Sequence, residues 1–405
     1  MKIALYAPAW PPGHAANGIV TYTSLLVSAL RRLGHDVFVL SFGPADADPF
    51  AVDLNGFLPR RNLLTRAMSK FAPSTTFFNQ ASSAIARGIR FLVDEHQIDL
   101  FEMEESFGWS YEISRLNIIP VIVRLHGPWF LMGRFDYENR KKAQWRVDLE
   151  GRGIRQAHYV TANCGDTLNA VKDKYGLTLV NSRVLPNPVD TVSESEAWRL
   201  DTCEPNSLLF VGRFDKVKGG DLVLHAFGQL ARTYPKLKLT FVGPDRGIRT
   251  NDGAICNFHQ FVQQNLPEDV RSRIDFRGQQ SHAEVMSLRN QHFITIIAAQ
   301  YDTMGYMMLE AMSRGCPIVS TAVGGIPEYI RDRRNGILVP SQDADAMAAA
   351  CKTLLDNKDL AAQFGRQNWL DCRELYSSEG VARQMLSAYQ AAIDGFRFHQ
   401  GSKAA

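Results

Sequence analysis

At 405 residues, with 45% hydrophobic and 21% charged side chains, the chain is long enough for two ordinary cores and too long for one domain of common size. A formal charge of +3 is close to balance, which removes the electrostatic case for nucleic acid as a partner and for a general attraction to membranes. The N-terminal run Lys2-Ile-Ala-Leu-Tyr-Ala-Pro-Ala-Trp-Pro is short and broken by prolines, so neither a secretory signal nor a spanning helix is expected. The six cysteines, Cys164, Cys203, Cys256, Cys316, Cys351 and Cys372, form no Cys-x-x-Cys pair and have no histidines at metal-ligand spacing. Reduced thiols in a cytoplasmic protein are expected.

In chain order, Ile3 to Ala7 reads as a buried strand. Ile19 to Leu33 follows as a helix, with Val20, Leu26, Leu30 and Leu33 at helical spacing and Gly34 closing it. Asp36 to Leu40 is the next strand, and strand, glycine-containing loop, helix and strand make a βαβ unit with a right-handed crossover and a parallel sheet. Asp99 to Met103, Ile119 to Leu125 and His158 to Ala162 are further strand candidates. Past Pro188 the composition turns polar through Ser193-Glu-Ser-Glu, as at an inter-domain linker.

A second α/β series then begins. It has a strand ending at Val211, a helix over Asp221 to Thr233, and strands over Leu237 to Val242, Ile274 to Arg277, Phe293 to Ala298 and Ile318 to Thr321. A last helix is expected over roughly Val381 to Phe396. The expected class is α/β, with two Rossmann-like domains facing each other across a cleft. Ligands in such sheets collect at the carboxyl ends of the strands.

The segment Tyr301 to Pro340 carries the most information. Asp302 and Glu310 stand eight positions apart across a loop-to-helix junction, where unpaired backbone N–H groups attract anions. The amides of Gly305, Tyr306 and Met307 at the helix start offer a phosphate cradle whatever their side chains. Gly336-Ile-Leu-Val-Pro340, after Asn335, reads as a second tight turn.

Upstream, Gly212-Arg213-Phe-Asp-Lys216-Val-Lys218-Gly219-Gly220 supplies positive charge. Arg213 can fork two phosphate oxygens and Lys218 adds a mobile point charge. A solvated basic turn is the plain alternative; the flanking strand, glycines and helix favour a binding loop. Gly18, after Asn17 in the first strand-helix loop, lets backbone approach a phosphate. His126 follows the strand ending at Leu125 and precedes Gly127-Pro128, where an ordinary hydrogen-bonded loop residue is the competing reading. Arg277-Gly278 closes another strand. Asp46-Ala-Asp48 and Asp343-Ala-Asp345 have the look of metal motifs, but capping explains them equally and no metal is expected.

Leu58-Pro-Arg60-Arg61 through Arg66 to Lys70-Phe71 mixes basic and apolar residues. It suits either peripheral contact with an anionic membrane at residues 58–71 or an ordinary amphipathic helix. Trp129 to Met132 is either an apolar wall of the acceptor cleft or core.

Taken together, Gly18, His126, Leu185-Pro-Asn187, Arg213 with Lys218, and Asp302 with Glu310 resemble the ordered motifs of glycosyltransferase family 4. These are retaining nucleotide-sugar enzymes of the GT-B fold whose signature is Glu-x7-Glu followed by Ala-Met, Gly-x-Pro-Val-Val and Gly-Gly-x-x-Glu. Here Asp302 replaces the first Glu, Thr303-Met304-Gly305 replaces Pro-Phe-Gly, and Asn17 replaces the first Gly of a usual pair.

The resemblance implies an acceptor-side domain over 1–188, a donor-binding domain over 189–379, and a tail over 380–405 that returns to the first domain. It assigns Arg213 and Lys218 to the diphosphate, His126 and Asp302 to the donor sugar, Glu310 to the ribose, Arg277 to the nucleobase pocket and Gly18 to the donor loop. The implied activity is metal-independent, retaining transfer of a hexosyl-type group from a nucleotide-diphosphate sugar to a hydroxyl of a glycan, lipid-linked saccharide or small molecule. Polysaccharide or glycoconjugate synthesis at the cytoplasmic side of the membrane is the implied setting. A non-catalytic nucleotide-sugar binding protein, and a GT-B-like epimerase or phosphorylase, are the rivals.

Overall fold

The computed structural model describes residues 1–12, 17–43, 48–59, 73–133, 140–250 and 253–404. The stretch proposed for membrane contact, residues 58–71, lies outside these from residue 60 onward, as does Asp46. Among the described residues no helix is long and apolar enough to cross a membrane.

Chain contacts divide the molecule into two compact units, Met1–Pro188 with Ser378–Ala405, and Val189–Ser377. In the first unit β1 (Lys2–Tyr6), β2 (Asp36–Ser41), β3 (Ala51–Asp53), β4 (Leu100–Glu104), β5 (Val121–Leu125), β6 (Tyr159–Ala162) and β7 (Ser182–Val184) form a parallel sheet. Its order is β3-β2-β1-β4-β5-β6-β7. Strands β1, β4 and β5 are buried on both faces almost throughout, as parallel strands covered by helices must be.

The helix Gly18–Arg32 starts where Asn17 caps it, its side-chain oxygen accepting from Ile19 N–H at 2.8 Å. The helix Ser378–Ala404 belongs to this unit. Its Tyr389 hydroxyl donates to buried Glu102 of β4 at 2.9 Å, and the Tyr22 hydroxyl donates to the other oxygen of that carboxylate at 2.8 Å. Beside them the buried Arg124 guanidinium stacks on Tyr22 and donates to Leu185 O, Pro186 O and Asn187 Oδ1. The Leu-Pro-Asn motif is therefore tied to the sheet through the Nη2 of a buried arginine, whose charge also favours the ionised Glu102 carboxylate.

In the second unit β8 (Glu204–Val211), β9 (Lys238–Val242), β12 (Ile274–Gly278), β13 (His292–Ile297), β14 (Ile318–Thr321) and β15 (Ile337–Val339) form another parallel sheet. Its order is β12-β9-β8-β13-β14-β15, and a small hairpin of β10 (Ile248–Arg249) with β11 (Ile255–Cys256) stands apart. Ser193 to Glu196, read from composition as a linker, is a capping-box turn within this unit. Nearby, Trp198 donates to His292 O and Trp369 donates to Val192 O. The edge strands β3, β7 and β15, of three residues each, are the sheet elements that periodicity does not reveal. Ile337–Val339 pairs with β14, so the segment read as a turn continues into the sheet.

Candidate active site

In each sheet the strand order reverses beside the first strand: β1 lies between β2 and β4, and β8 lies between β9 and β13. Loops leaving the carboxyl ends of such neighbours part to opposite faces and open a crevice, the recurrent ligand position of α/β sheets. Gly18, Arg213, Lys218 and Asp302 lie at these points, whereas His126 follows β5 and Arg277 closes the edge strand β12.

In the second unit Arg213 and Lys218 follow β8, and Asp302 follows β13. Lys218 Nζ lies 2.7 Å from Asp302 Oδ2, an ion pair that spans the crevice, with the two side chains 25% and 14% exposed. The second oxygen of Asp302 accepts the Thr303 amide at 2.9 Å. On the β8 side, Asp215 organises the loop: its carboxylate accepts Arg213 Nε and the Lys218 amide, both at 2.7 Å.

Two glycines permit this closeness. A Cβ on Gly219 would stand 1.9 Å from Ala298 O, and one on Gly324 would stand 2.1 Å from Asp302 O; both residues have the positive φ that favours glycine. Gly305 caps the helix Tyr306–Ser313 with no side-chain partner of its own for the first turn, so Tyr306 and Met307 open that helix directly beside Asp302.

Glu310 sits on that helix and is mostly buried. Its Oε2 lies 3.1 Å from the Nη2 of fully buried Arg289, and its Oε1 lies 3.4 Å from His282. Burial opposes ionisation of Glu310, but the His282 hydrogen bond and the Arg289 charge outweigh it and hold the carboxyl below its ordinary range. Correspondingly the hydrogen bond to Glu310 raises the His282 pKa. His282 is 73% exposed and screened by water, so Arg289 is the firmer restraint. Arg277, at the end of β12, pairs with Asp275 at 2.7 Å and Glu284 at 3.4 Å.

In the first unit Gly18 is the first residue of its helix. His126 follows β5, its ring edge-on to Tyr22 at 4.7 Å. Burial, then the charge of Arg124, lowers its pKa well below the usual imidazole value, so the ring is neutral at physiological pH. Sequence reasoning passed over Glu105, although a carboxylate just past a strand end was a signal available to it. Glu105 accepts the amides of His126 and Gly127, one on each oxygen, at 2.9 and 2.8 Å. Arg289 and His282 were also missed, and nothing local marks them. Trp129, read as a possible acceptor wall, donates its amide to Glu150 and stacks with Arg146.

Of the metal-like pairs, Asp343 caps the helix Ala344–Asp356 and Asp345 accepts from Gln229, while Asp48 pairs with Arg31.

Two family models match successive parts of the chain: Glycosyltransferase Family 4 over residues 16–193 and Glycosyl transferases group 1 over residues 195–369. The glycogen synthase of Mycobacterium tuberculosis is 23% identical, over 98% of this chain and 96% of that protein. Among solved structures, sucrose-phosphate synthase from Thermosynechococcus elongatus superposes with a TM-score of 0.74 at 21% identity, over 96% of this chain and 98% of that one. Anabaena Alr3699/HepE in complex with UDP-glucose superposes with a TM-score of 0.66 at 16% identity, over 96% and 100%. These likenesses establish two Rossmann-like domains of the GT-B class.

Proposed function

The chain belongs to glycosyltransferase family 4 and is an enzyme that transfers sugar groups, and from that premise we propose the reaction. The donor is a nucleotide-diphosphate sugar, the transferred group is a hexosyl-type unit, the acceptor is a hydroxyl of a glycan or lipid-linked saccharide, and no metal takes part. The observation that carries this reading is the Lys218–Asp302 ion pair, with Arg213 beside it, at the carboxyl ends of two neighbouring strands. The solved complex of HepE with UDP-glucose supports the donor class.

Cleavage of the anomeric C–O bond passes through an oxocarbenium-like state and leaves negative charge on the departing phosphate. Arg213 is half-exposed, with its Nε held by Asp215, so its two terminal nitrogens remain to fork phosphate oxygens. Lys218 meets the same charge as its ammonium shifts from Asp302 toward the phosphate. The amides at the start of the Tyr306–Ser313 helix add fixed partial positive charge. Neutral His126 orients the donor sugar as a hydrogen-bonding group rather than as a base. The leaving phosphate takes the acceptor proton on the face it vacates, which retains configuration at the anomeric carbon.

A thermal-shift screen against UDP, GDP, ADP and their sugar conjugates, with EDTA present, tests the donor site. One nucleotide is expected to raise the melting temperature by mass action, with the shift reduced in Arg213→Ala and Lys218→Ala. No shift from any nucleotide at millimolar concentration sinks the assignment. An inverted product anomer, read by NMR, sinks the retaining course.

A further inference from the structure

Three buried carboxylates stand close together beside the candidate sugar-orienting histidine: Glu104 and Glu105 at the end of β4, and Glu150 on the helix Arg140–Gln156. Each has a separate task. Glu104 accepts the Ser106 amide. Glu150 accepts Arg146 Nε and the Trp129 amide, both at 2.7 Å. Glu105 bridges two successive amides of the loop after β5, His126 N–H to Oε2 and Gly127 N–H to Oε1. Arg146, which neutralises Glu150, also stacks on Phe107 and Trp129 at 4.2 and 4.1 Å, so the loop after β4 and the segment after His126 are braced together.

We propose that Glu105 is a positioning residue for sugar transfer, its ionised carboxylate fixing the His126–Gly127 backbone and through it the direction of the imidazole. The proposal rests on the reading of His126 given above. An ionised carboxylate offers acceptor lone pairs on both oxygens. A protonated one turns one oxygen into a donor, which opposes an amide N–H rather than receiving it. The bridge therefore belongs to the charged form.

Burial and the neighbouring carboxylates resist that charge. Burial, followed by the like charges of Glu104 and Glu150, pushes its pKa up to about 8, while the His126 amide pulls the other way. Among the described residues, the charged and titratable groups facing this cluster are Glu104 and Tyr6 from the central strands, Glu150 and Arg146 from the Arg140–Gln156 helix, and Tyr175 from the Gly165–Tyr175 helix, on which Asp148 also acts. His126 faces it from the loop after β5, and Arg124 acts on His126. His126 stays neutral across the range, while Glu105 changes state near pH 8. The bridge closes as pH rises through that value.

The test pairs kinetics with backbone hydrogen exchange on the full-length enzyme. Wild-type kcat is expected to climb toward alkaline pH with a limb near 8. In Glu105→Gln, whose amide group keeps one acceptor and turns a donor toward the second N–H, kcat at pH 9 is expected to fall on the order of tenfold to hundredfold and the limb to vanish. The peptide carrying His126 and Gly127 is expected to exchange faster once corrected for intrinsic rates. Glu104→Gln, which removes a like charge without touching the bridge, is expected to move the limb to lower pH.

A Glu105→Gln enzyme with the wild-type pH profile, or with unchanged exchange at 126–127, overturns the proposal. Faster exchange without loss of turnover also overturns it, since the bridge then holds nothing the reaction needs. If His126→Ala turns over normally while Glu105→Gln does not, it is the reading of His126 that fails and the proposal with it. If wild type neither binds nor hydrolyses any donor, the functional reading fails, and the exchange result alone judges the bridge.

Discussion

The Lys218–Asp302 pair gives a prediction in which the sign, rather than the size, discriminates. Two unit charges 2.7 Å apart attract by roughly 6 kcal/mol at the effective dielectric of a protein surface, but loss of hydration offsets most of that. With both side chains mainly but not fully buried, the net worth falls between an exposed pair, about 0–1 kcal/mol, and a buried one broken on one side, about 3–5 kcal/mol. In the proposed donor site Lys218→Ala removes a charge-assisted bond to the diphosphate, about 1.5–3 kcal/mol, or roughly tenfold to more than hundredfold in Kd for UDP. It also strands the Asp302 carboxylate beside the phosphates.

Adding Asp302→Asn to Lys218→Ala removes that like charge. The double variant is therefore expected to bind UDP better than Lys218→Ala alone, by about fivefold for a relief of about 1 kcal/mol. Asp302→Asn alone is expected to change UDP affinity little while cutting transfer, because in the proposed site the carboxylate serves the sugar and the lysine rather than the phosphates. Titration calorimetry on the four proteins completes the cycle. A double variant that binds UDP more weakly than Lys218→Ala refutes the reasoning, since Asp302 would then be holding the nucleotide itself.

Two further outcomes follow from buried charges. Glu310→Ala leaves the Arg289 guanidinium buried without its carboxylate and is expected to cost about 3–5 kcal/mol in urea unfolding, with Glu310→Gln milder because it keeps an acceptor; equal stability of Glu310→Ala and wild type contradicts this. The Glu105 carboxyl titrates higher in the fold than in the unfolded chain, so between about 4.5 and about 8 the fold binds the extra proton and stability falls as pH rises. Wild type is expected to have a lower urea midpoint at pH 8.5 than at pH 6, a difference that shrinks in Glu105→Gln, and an unchanged difference removes Glu105 as its source.

What the sequence made legible divides along local and non-local lines. The helix Gly18–Arg32 and strand β1 follow from periodicity and capping within a few residues. The three-residue edge strands β3, β7 and β15 do not: three residues cannot display an alternation of period two, and Ile337–Val339 becomes a strand only because β14 offers it backbone partners. Asn335 shows the same limit. The Asn-Gly pair reads as a turn, whereas the buried Asn335 side chain also donates to Tyr329 O and Asp371, contacts set by packing.

In the site, residue types at strand ends were readable, but their pairings were not. Arg289 lies in a helix whose pattern gives no reason to bury a guanidinium, and its reason, Glu310, is on another element. Lys218 and Asp302 are 84 positions apart, and only the strand order, with β8 beside β13, makes them neighbours. That order also gives an aspartate its partners at the position where the resemblance expects a glutamate. Asp302 meets a lysine brought to 2.7 Å, has its second oxygen on the adjacent Thr303 amide, and packs over Gly305, where a Cβ would stand 2.6 Å from Oδ2. The shorter side chain is the one that fits a carboxylate already held at both oxygens.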